Sequence, residues 1–182
     1  MEKQIFVING SAGVGKDTFV DAVERALEDI NKEYWVENYS SVTRVKQIAE
    51  SCGWNSEVKT EKDRKFLSDL KLLLTEYNDL PFKDLGYVVE GFLHDGFENS
   101  KLLFLHIREP EEIAKAERAF NAKTILIKRN SVKHITSNMG DENVYNYDYD
   151  IIVENNGTFE DLQETARLFV SDYIKGSFKK KY

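Results

Sequence analysis

The sequence predicts a three-layer α/β fold, a parallel sheet covered by helices on both faces. Three observations carry that expectation. Gln4 to Asn9, Lys101 to Ile107, Thr124 to Ile127 and Tyr149 to Val153 are apolar on consecutive residues rather than alternating ones. Strands buried on both faces of a parallel sheet read that way. Stretches with helical spacing separate them, and alternating strands and helices build sheets covered on both sides. A glycine-rich turn, finally, stands between the first strand and the first helix.

That turn is Gly10-Ser11-Ala12-Gly13-Val14-Gly15-Lys16-Asp17-Thr18. It follows Ile5-Phe6-Val7-Ile8 and fits the spacing G-x-x-x-x-G-K in a strand–turn–helix setting, which is what a phosphate-binding P-loop requires. Glycine lets successive N–H groups face inward as an anion nest. The start of the following helix adds its positive dipole end, and the Lys16 ammonium reaches the outer phosphates. ATP is the expected ligand, and Gly10 through Thr18 are its expected contacts. Asp17 stands where Ser or Thr usually follows the lysine. A carboxylate is a stronger oxygen ligand than a hydroxyl, so Asp17 is the candidate for Mg²⁺, directly or through water. The plainer alternative is that it only charges the first helical turn.

The bounds from composition agree. At 182 residues the chain suits one well-buried domain, and 41% hydrophobic with 31% charged residues is ordinary for a globular protein. A formal net charge of -7 argues against a nucleic-acid partner, which wants a basic face. Cys52 is the only cysteine, so cysteine-cluster metal sites and intrachain disulfides are excluded. No apolar run reaches transmembrane length, and the first strand begins almost at once, so a cytoplasmic protein without a membrane partner is expected.

In chain order, helical spacing runs from Thr18 to about Asn31, and Tyr34 to Tyr39 reads as a short strand. Ser41 to Cys52 reads as a helix closed by Gly53, with Trp54 in the loop beyond. Thr60-Glu61-Lys62-Asp63 resembles a capping box, opening a helix with Phe66, Leu67, Leu70, Leu73, Leu74 and Tyr77 on one face. Leu80-Pro81-Phe82 breaks it, and Lys83 to His94 is helix again. Asp95-Gly96-Phe97 is read as a turn. Glu109-Pro110-Glu111-Glu112 starts a helix ending near Asn121. Thr158 caps the last helix, to about Lys175, and Ser177 to Tyr182 is read as a frayed, solvated tail. One domain, 1–182, is expected, with a helical insertion at about 41–95 and a lid at about 130–148.

Ligands of such sheets sit beyond the carboxyl ends of the strands. That rule selects the P-loop, Ser40-Ser41, Arg108-Glu109, Lys128-Arg129 and Asn155-Asn156-Gly157. Phosphoryl transfer needs cations beyond the P-loop lysine, and arginine offers a fork matched to phosphate. Arg25, Arg118 and Arg167 fall on polar helix faces. Arg44 and Arg64, with Lys46, are assigned to the phosphate of an acceptor, Arg129 to the transferring group, and Arg108 to either. A structural salt bridge is the alternative for each. Met139 to Glu154 carries five acids and interleaved Tyr145, Tyr147 and Tyr149. It is either a flap over the nucleotide or an acidic connection whose tyrosines pack on the sheet edge. Lys133 and His134 are candidates for lid contacts to phosphate, and His134 reads equally as a surface residue.

The chain resembles the P-loop nucleoside monophosphate kinases, most closely the deoxynucleoside monophosphate kinase-like branch. The resemblance rests on Gly15-Lys16-Asp17-Thr18, Val45-Lys46-Gln47-Ile48-Ala49, Asp63 to Lys71, Ile107 to Glu112, and Asn155 to Leu162. It implies a three-layer P-loop NTPase fold of the nucleotide kinase type. It implies transfer of the ATP γ-phosphoryl group to a nucleoside monophosphate, with Mg²⁺ bridging the phosphates. By position, Arg64 and Asp69 would help hold the acceptor, Arg129 would serve the transition state, and Asn156 and Gly157 would lie beside adenine. One departure stands out: branch members often have an acid two residues before the arginine that matches Arg108, whereas this chain has His106. Two other readings stay open, a kinase for another small phosphorylated acceptor such as phosphomevalonate or dephospho-coenzyme A, and a nucleotide-binding sensor without transferase activity. A nucleobase acceptor would need a planar wall, for which Trp54 and Tyr77 are candidates.

Overall fold

A computed structural model describes residues 2–57, 60–94, 98–132 and 143–182. The expected turn at Asp95-Gly96-Phe97 and the candidate residues Lys133 and His134 lie outside the described residues. The described elements are β1 (Gln4–Asn9), α1 (Lys16–Glu28), β2 (Trp35–Ser40), α2 (Thr43–Ser51), α3 (Glu61–Asn78), α4 (Leu80–His94), β3 (Ser100–His106), α5 (Pro110–Phe120), β4 (Lys123–Lys128), β5 (Ile151–Glu154) and α6 (Phe159–Lys175).

The strands form one sheet in the order β2-β3-β1-β4-β5, every pair parallel. The first strand is therefore central, and its neighbours are the third and fourth. Its consecutive apolar residues divide between two cores, because successive side chains point to opposite faces. Phe6 and Ile8 pack with Phe19, Val23 and Leu27 of α1 and with Leu162, Ala166 and Phe169 of α6. Ile5 and Val7 pack with Leu85, Val89 and Phe92 of α4 and with Ile113 and Ala116 of α5. The three layers follow from that division.

Local signals explain most boundaries. Thr60 and Thr158 each accept from the backbone N–H three residues on, while Asp63 and Asp161 reach back to the threonine N–H, so both capping boxes close. Such caps contribute about 1 kcal/mol each. Pro110 occupies the first turn of α5, and Asn121 closes that helix in the left-handed conformation. The break between α3 and α4 falls earlier than Leu80-Pro81-Phe82. Asp79 takes the left-handed cap (φ 58°), and Pro81 sits inside the first turn of α4, where its missing N–H costs nothing. The last strand begins at Ile151 rather than Tyr149, because Asp150 turns its carboxylate onto the N–H and hydroxyl of Thr124.

Two expectations are corrected. No residue of α3 is fully buried, and the face bearing Phe66, Leu73 and Tyr77 is open to solvent, Tyr77 at 84%. Helical periodicity marks a shared face but cannot say whether anything covers it. What holds α3 to the sheet layer is polar: Lys71, its side chain 12% exposed, places Nζ 2.7 Å from a Glu109 oxygen and 2.9 Å from one of Glu112. The second correction concerns the end of the chain. Ser177 to Tyr182 does not fray but lies alongside β5, with Ile152 N donating to Lys180 O, Glu154 N to Tyr182 O, and Tyr182 N to Ile152 O. Phe178 packs on Phe6 and Phe169, and Tyr182 packs on Phe169. Three lysines suggested a solvated tail, but two aromatic rings with a core to join outweigh them.

Two outcomes follow for stability. Deleting residues 177–182 lowers the unfolding free energy by about 2–4 kcal/mol, read from urea denaturation, since two rings and a strand pairing are lost. Burial and the neighbouring Glu109 carboxylate raise the Glu112 carboxyl to about 7, above the ordinary 4.5. The folded state therefore holds that proton more tightly, and its stabilising effect, full below pH 4.5, is lost as pH rises toward 7. Glu112→Gln keeps the uncharged form, so it unfolds at higher urea than the parent at pH 8, with the difference vanishing near pH 4.5.

Candidate active site

The carboxyl ends of β1, β3, β4 and β5 meet at the loop Gly10–Gly15. At Gly15 the backbone enters the left-handed region (φ 96°), and a methyl group added there would stand 2.5 Å from Nδ2 of Asn155. Gly10 (φ 150°) is closed in by the Ile127 carbonyl, 2.6 Å from where a Cβ would sit. Only glycine satisfies both the dihedral and the space at these two positions. The loop then feeds α1 at Lys16, which presents the helix N-terminus to the loop.

Two buried asparagines hold the loop. Asn9, the last residue of β1, accepts from the Gly10 N–H at 2.8 Å. Its amide donates to the Arg108 carbonyl at 3.1 Å and to the Tyr149 hydroxyl at 2.8 Å. The Tyr149 hydroxyl in turn donates to the Val144 carbonyl at 2.7 Å. Asn155, just beyond β5, donates to the Val14 carbonyl at 2.8 Å, while its backbone N–H donates to Lys128 O at 2.7 Å. Asn156 then accepts from the Asn130 N–H, joining the ends of β4 and β5. The sequence marked Asn155 by its place after a strand and Tyr149 as a tyrosine of the acidic segment, but it did not single out Asn9. The available signal was an amide closing an apolar strand, because such a buried group has to be satisfied by something beyond the strand.

Lys16 folds back over the loop, its Nζ donating to Gly10 O at 2.6 Å and Ser11 O at 3.0 Å. Asp17 points outward, its side chain 83% exposed. Beside it is His106, the last residue of β3, whose side chain is 15% exposed and whose Nε2 lies 3.7 Å from an Asp17 oxygen. That nitrogen is buried and makes no hydrogen bond. Burial pushes the His106 pKa down to about 4, the Asp17 charge resisting and those of Lys16 and Arg108 assisting, so the imidazole is neutral at neutral pH.

The remaining candidates lie on the same edge but are not gathered. Arg108 is exposed and Arg129 half-buried, two residues and one residue respectively past the ends of their strands. Arg44 and Lys46 are exposed on α2, where Arg44 donates to Gln47 at 3.0 Å. Arg64 is exposed in the first turn of α3, and Asp69 is held by Lys65 at 2.6 Å on the solvent side. Among the described residues no hydrogen bond or ion pair joins Arg44, Lys46, Arg64 and Asp69 to one another. Thr18 lies half-buried in the first turn of α1, and Gly157 packs against Asp161. Of the two suggested wall residues, Trp54 is buried with its indole N–H unpartnered, whereas Tyr77 stands in solvent.

The acidic segment is described from Asn143 onward, and that part packs against the protein. Val144 and Tyr149 are buried, Tyr147 bonds to Glu117, and Tyr145 approaches Ser11 at 3.5 Å and the Lys128 ammonium at 5.5 Å. Residues 133–142, which make up most of the expected lid, lie outside the described residues. Among the described residues no group of three or more His, Cys, Asp or Glu side chains is placed to hold a metal alone. No described helix is long and apolar enough to cross a membrane.

Gly15→Ala tests the loop. Its methyl group meets both the positive φ and the Asn155 amide, so nucleotide binding by equilibrium dialysis is expected to fall at least tenfold (about 1.4 kcal/mol or more), with the thermal midpoint lowered as well.

No protein-family model and no curated protein sequence matches the chain. Among solved structures it is similar to shikimate kinase from Aquifex aeolicus, with a TM-score of 0.52 at 13% identity, over 96% of this chain and 100% of that one. A "putative kinase" from Chloroflexus aurantiacus superposes less well, with a TM-score of 0.46 at 10% identity over 98% and 100% of the two chains. The parallel sheet, its flanking helices and the likeness to shikimate kinase give the chain an α/β fold of the P-loop kinase type.

Proposed function

We propose that the chain transfers the γ-phosphoryl group of ATP to a (deoxy)nucleoside monophosphate, with Mg²⁺ as the expected cation. The observation that carries the reading is the loop itself. Glycine-only backbone turns present a helix N-terminus and a lysine ammonium, held over carbonyl oxygens, at the carboxyl end of the central strand. Triphosphate oxygens supply the same acceptors those carbonyls supply, so Lys16 can exchange one set for the other as the donor enters. Gly10 through Thr18 hold the donor, and Asn156 and Gly157 lie on the side expected for its base.

An exposed carboxylate at the helix start suits Mg²⁺, which takes one or two carboxylates, keeps several waters and binds substrate phosphates for the rest. Asp17 is the residue that would hold it, and the bound ion would neutralise charge on the β- and γ-phosphates. Arg108 and Arg129 approach the transferring group from the ends of β3 and β4. Phosphoryl transfer is mainly positioning and charge neutralisation, and two arginines beyond the lysine serve both. Arg44, Lys46, Arg64 and Asp69 on the α2–α3 insertion are assigned to the acceptor. They are dispersed, as side chains awaiting a bridging anion are. The partners in this reading are small nucleotides, without nucleic acid or membrane.

The test is ADP release from ATP and Mg²⁺ against a panel of ribo- and deoxynucleoside monophosphates, with phosphomevalonate and dephospho-coenzyme A included. One nucleotide is expected to stimulate turnover at least a hundredfold, and Lys16→Ala to abolish it (a loss on the order of 3 kcal/mol in barrier or more). Turnover with a non-nucleotide alone would move the acceptor outside the nucleotides. ATP binding with no acceptor-dependent turnover would sink the transferase reading.

A further inference from the structure

The Nε2 of His106 needs an explanation. A buried polar atom without a partner costs roughly 1–3 kcal/mol, and such atoms survive where a ligand or ion completes them. This one faces the Asp17 carboxylate at 3.7 Å, too far for a hydrogen bond, at the point where β3 ends against the start of α1. We propose that Asp17 and His106 together form a mixed oxygen–nitrogen seat for the divalent cation that enters with the nucleotide, selecting a first-row transition ion such as Mn²⁺ or Co²⁺ over Mg²⁺. This rests on the nucleotide reading above and replaces Mg²⁺ there, as the preferred cation, by a first-row transition ion.

The geometry suits a shared ion. Two ligand atoms each about 2.1 Å from one ion stand about 3.0 Å apart in an octahedral arrangement and about 3.4 Å in a tetrahedral one. The observed 3.7 Å is a few tenths of an ångström wider, and Asp17 is exposed enough to swing in. His106 is not, because it sits in the layer between strand end and helix, so the nitrogen is the fixed half of the pair. The chemistry then discriminates. Mg²⁺ prefers all-oxygen surroundings and gives up water reluctantly, whereas an imidazole nitrogen gains in affinity along the first-row series from Mn²⁺ to Co²⁺.

The surrounding charges fix when the seat fills. Lys16 and Arg108 both act electrostatically on His106. A lone cation is repelled by them, and a cation arriving on a polyphosphate is not. Loading is therefore coupled to the nucleotide.

The experiment measures equilibrium binding of a fluorescent ATP analogue to the full chain with Mg²⁺, Mn²⁺ or Co²⁺, in the parent and in His106→Ala. The dissociation constant is expected to fall from Mg²⁺ through Mn²⁺ to Co²⁺ by about tenfold or more in the parent, and by no more than about threefold in the variant. An equal spread in both proteins overturns the proposal. A second measurement does not depend on the variant folding. Pulsed electron paramagnetic resonance of the Mn²⁺–ATP complex, with histidine labelled with ¹⁵N, should show a directly bound ¹⁵N, and its absence also overturns the proposal. Nucleotide binding with neither metal preference nor histidine coupling removes this inference alone. Failure of nucleotide to bind with any cation removes the nucleotide reading along with it.

Discussion

The arrangement of this molecule depends on the side chain of Asn9. One buried amide closes the central strand, accepts from the first N–H of the phosphate loop, and donates both to the end of the neighbouring strand and to Tyr149. That one side chain satisfies the Gly10 N–H and shares the Tyr149 hydroxyl with the Val144 carbonyl. The penalty for leaving a buried polar group unmet is comparable to a sizeable fraction of the stability of a small domain. The loop conformation, the approach of Arg108 and the docking of the 143–150 segment are thus fixed together rather than one by one. Lys180 extends the same linkage outward, since its ammonium donates to Asp148 and to the Tyr149 carbonyl. The final strand-like segment therefore communicates with the phosphate loop through two side chains.

Electrostatics divide the molecule in a way the net charge of -7 hides. The loop edge collects Lys16, Arg108, Lys128 and Arg129, while most acids face solvent elsewhere or are tied to lysines. Helix α3 shares one ammonium, that of Lys71, with two carboxylates at the start of α5, one held below the ordinary range and the other raised to about 7. A single positive charge cannot neutralise two buried acids. Burial and repulsion favour a proton on Glu112, so the Lys71 contact of α3 responds to pH.

Much of this was legible in the sequence, for identifiable reasons. Strands such as Gln4–Asn9 are marked by apolar runs that only a sheet covered on both faces can bury. The P-loop is marked by a spacing that few other structures require, and Thr60 and Thr158 by side-chain chemistry acting within four residues. What escaped depends on distant partners. Nothing in Ser177 to Tyr182 announces that Phe178 and Tyr182 find Phe169 waiting, and nothing in the α3 periodicity shows that its face stays open. The site was half legible in the same way. Its loop residues are contiguous, whereas Asn9, Tyr149 and Asn155 act across some 140 residues of chain. His106 was visible only as a departure from a resembled pattern, and its place beside Asp17 is a property of the folded chain.

The position of Lys16 carries one more consequence. With its ammonium held by two carbonyls of its own loop, the phosphate cradle is already occupied by internal bonds. An incoming anion binds only to the extent that it outcompetes them. A single small oxyanion replaces those contacts roughly one for one and gains little, whereas a chain of linked phosphates replaces them and adds contacts along the loop amides and the helix start. The built-in lysine contact thus acts as a threshold. For the ATP-binding role proposed above, it would favour a polyphosphate over a lone monophosphate, a selectivity set by the loop's own bonds.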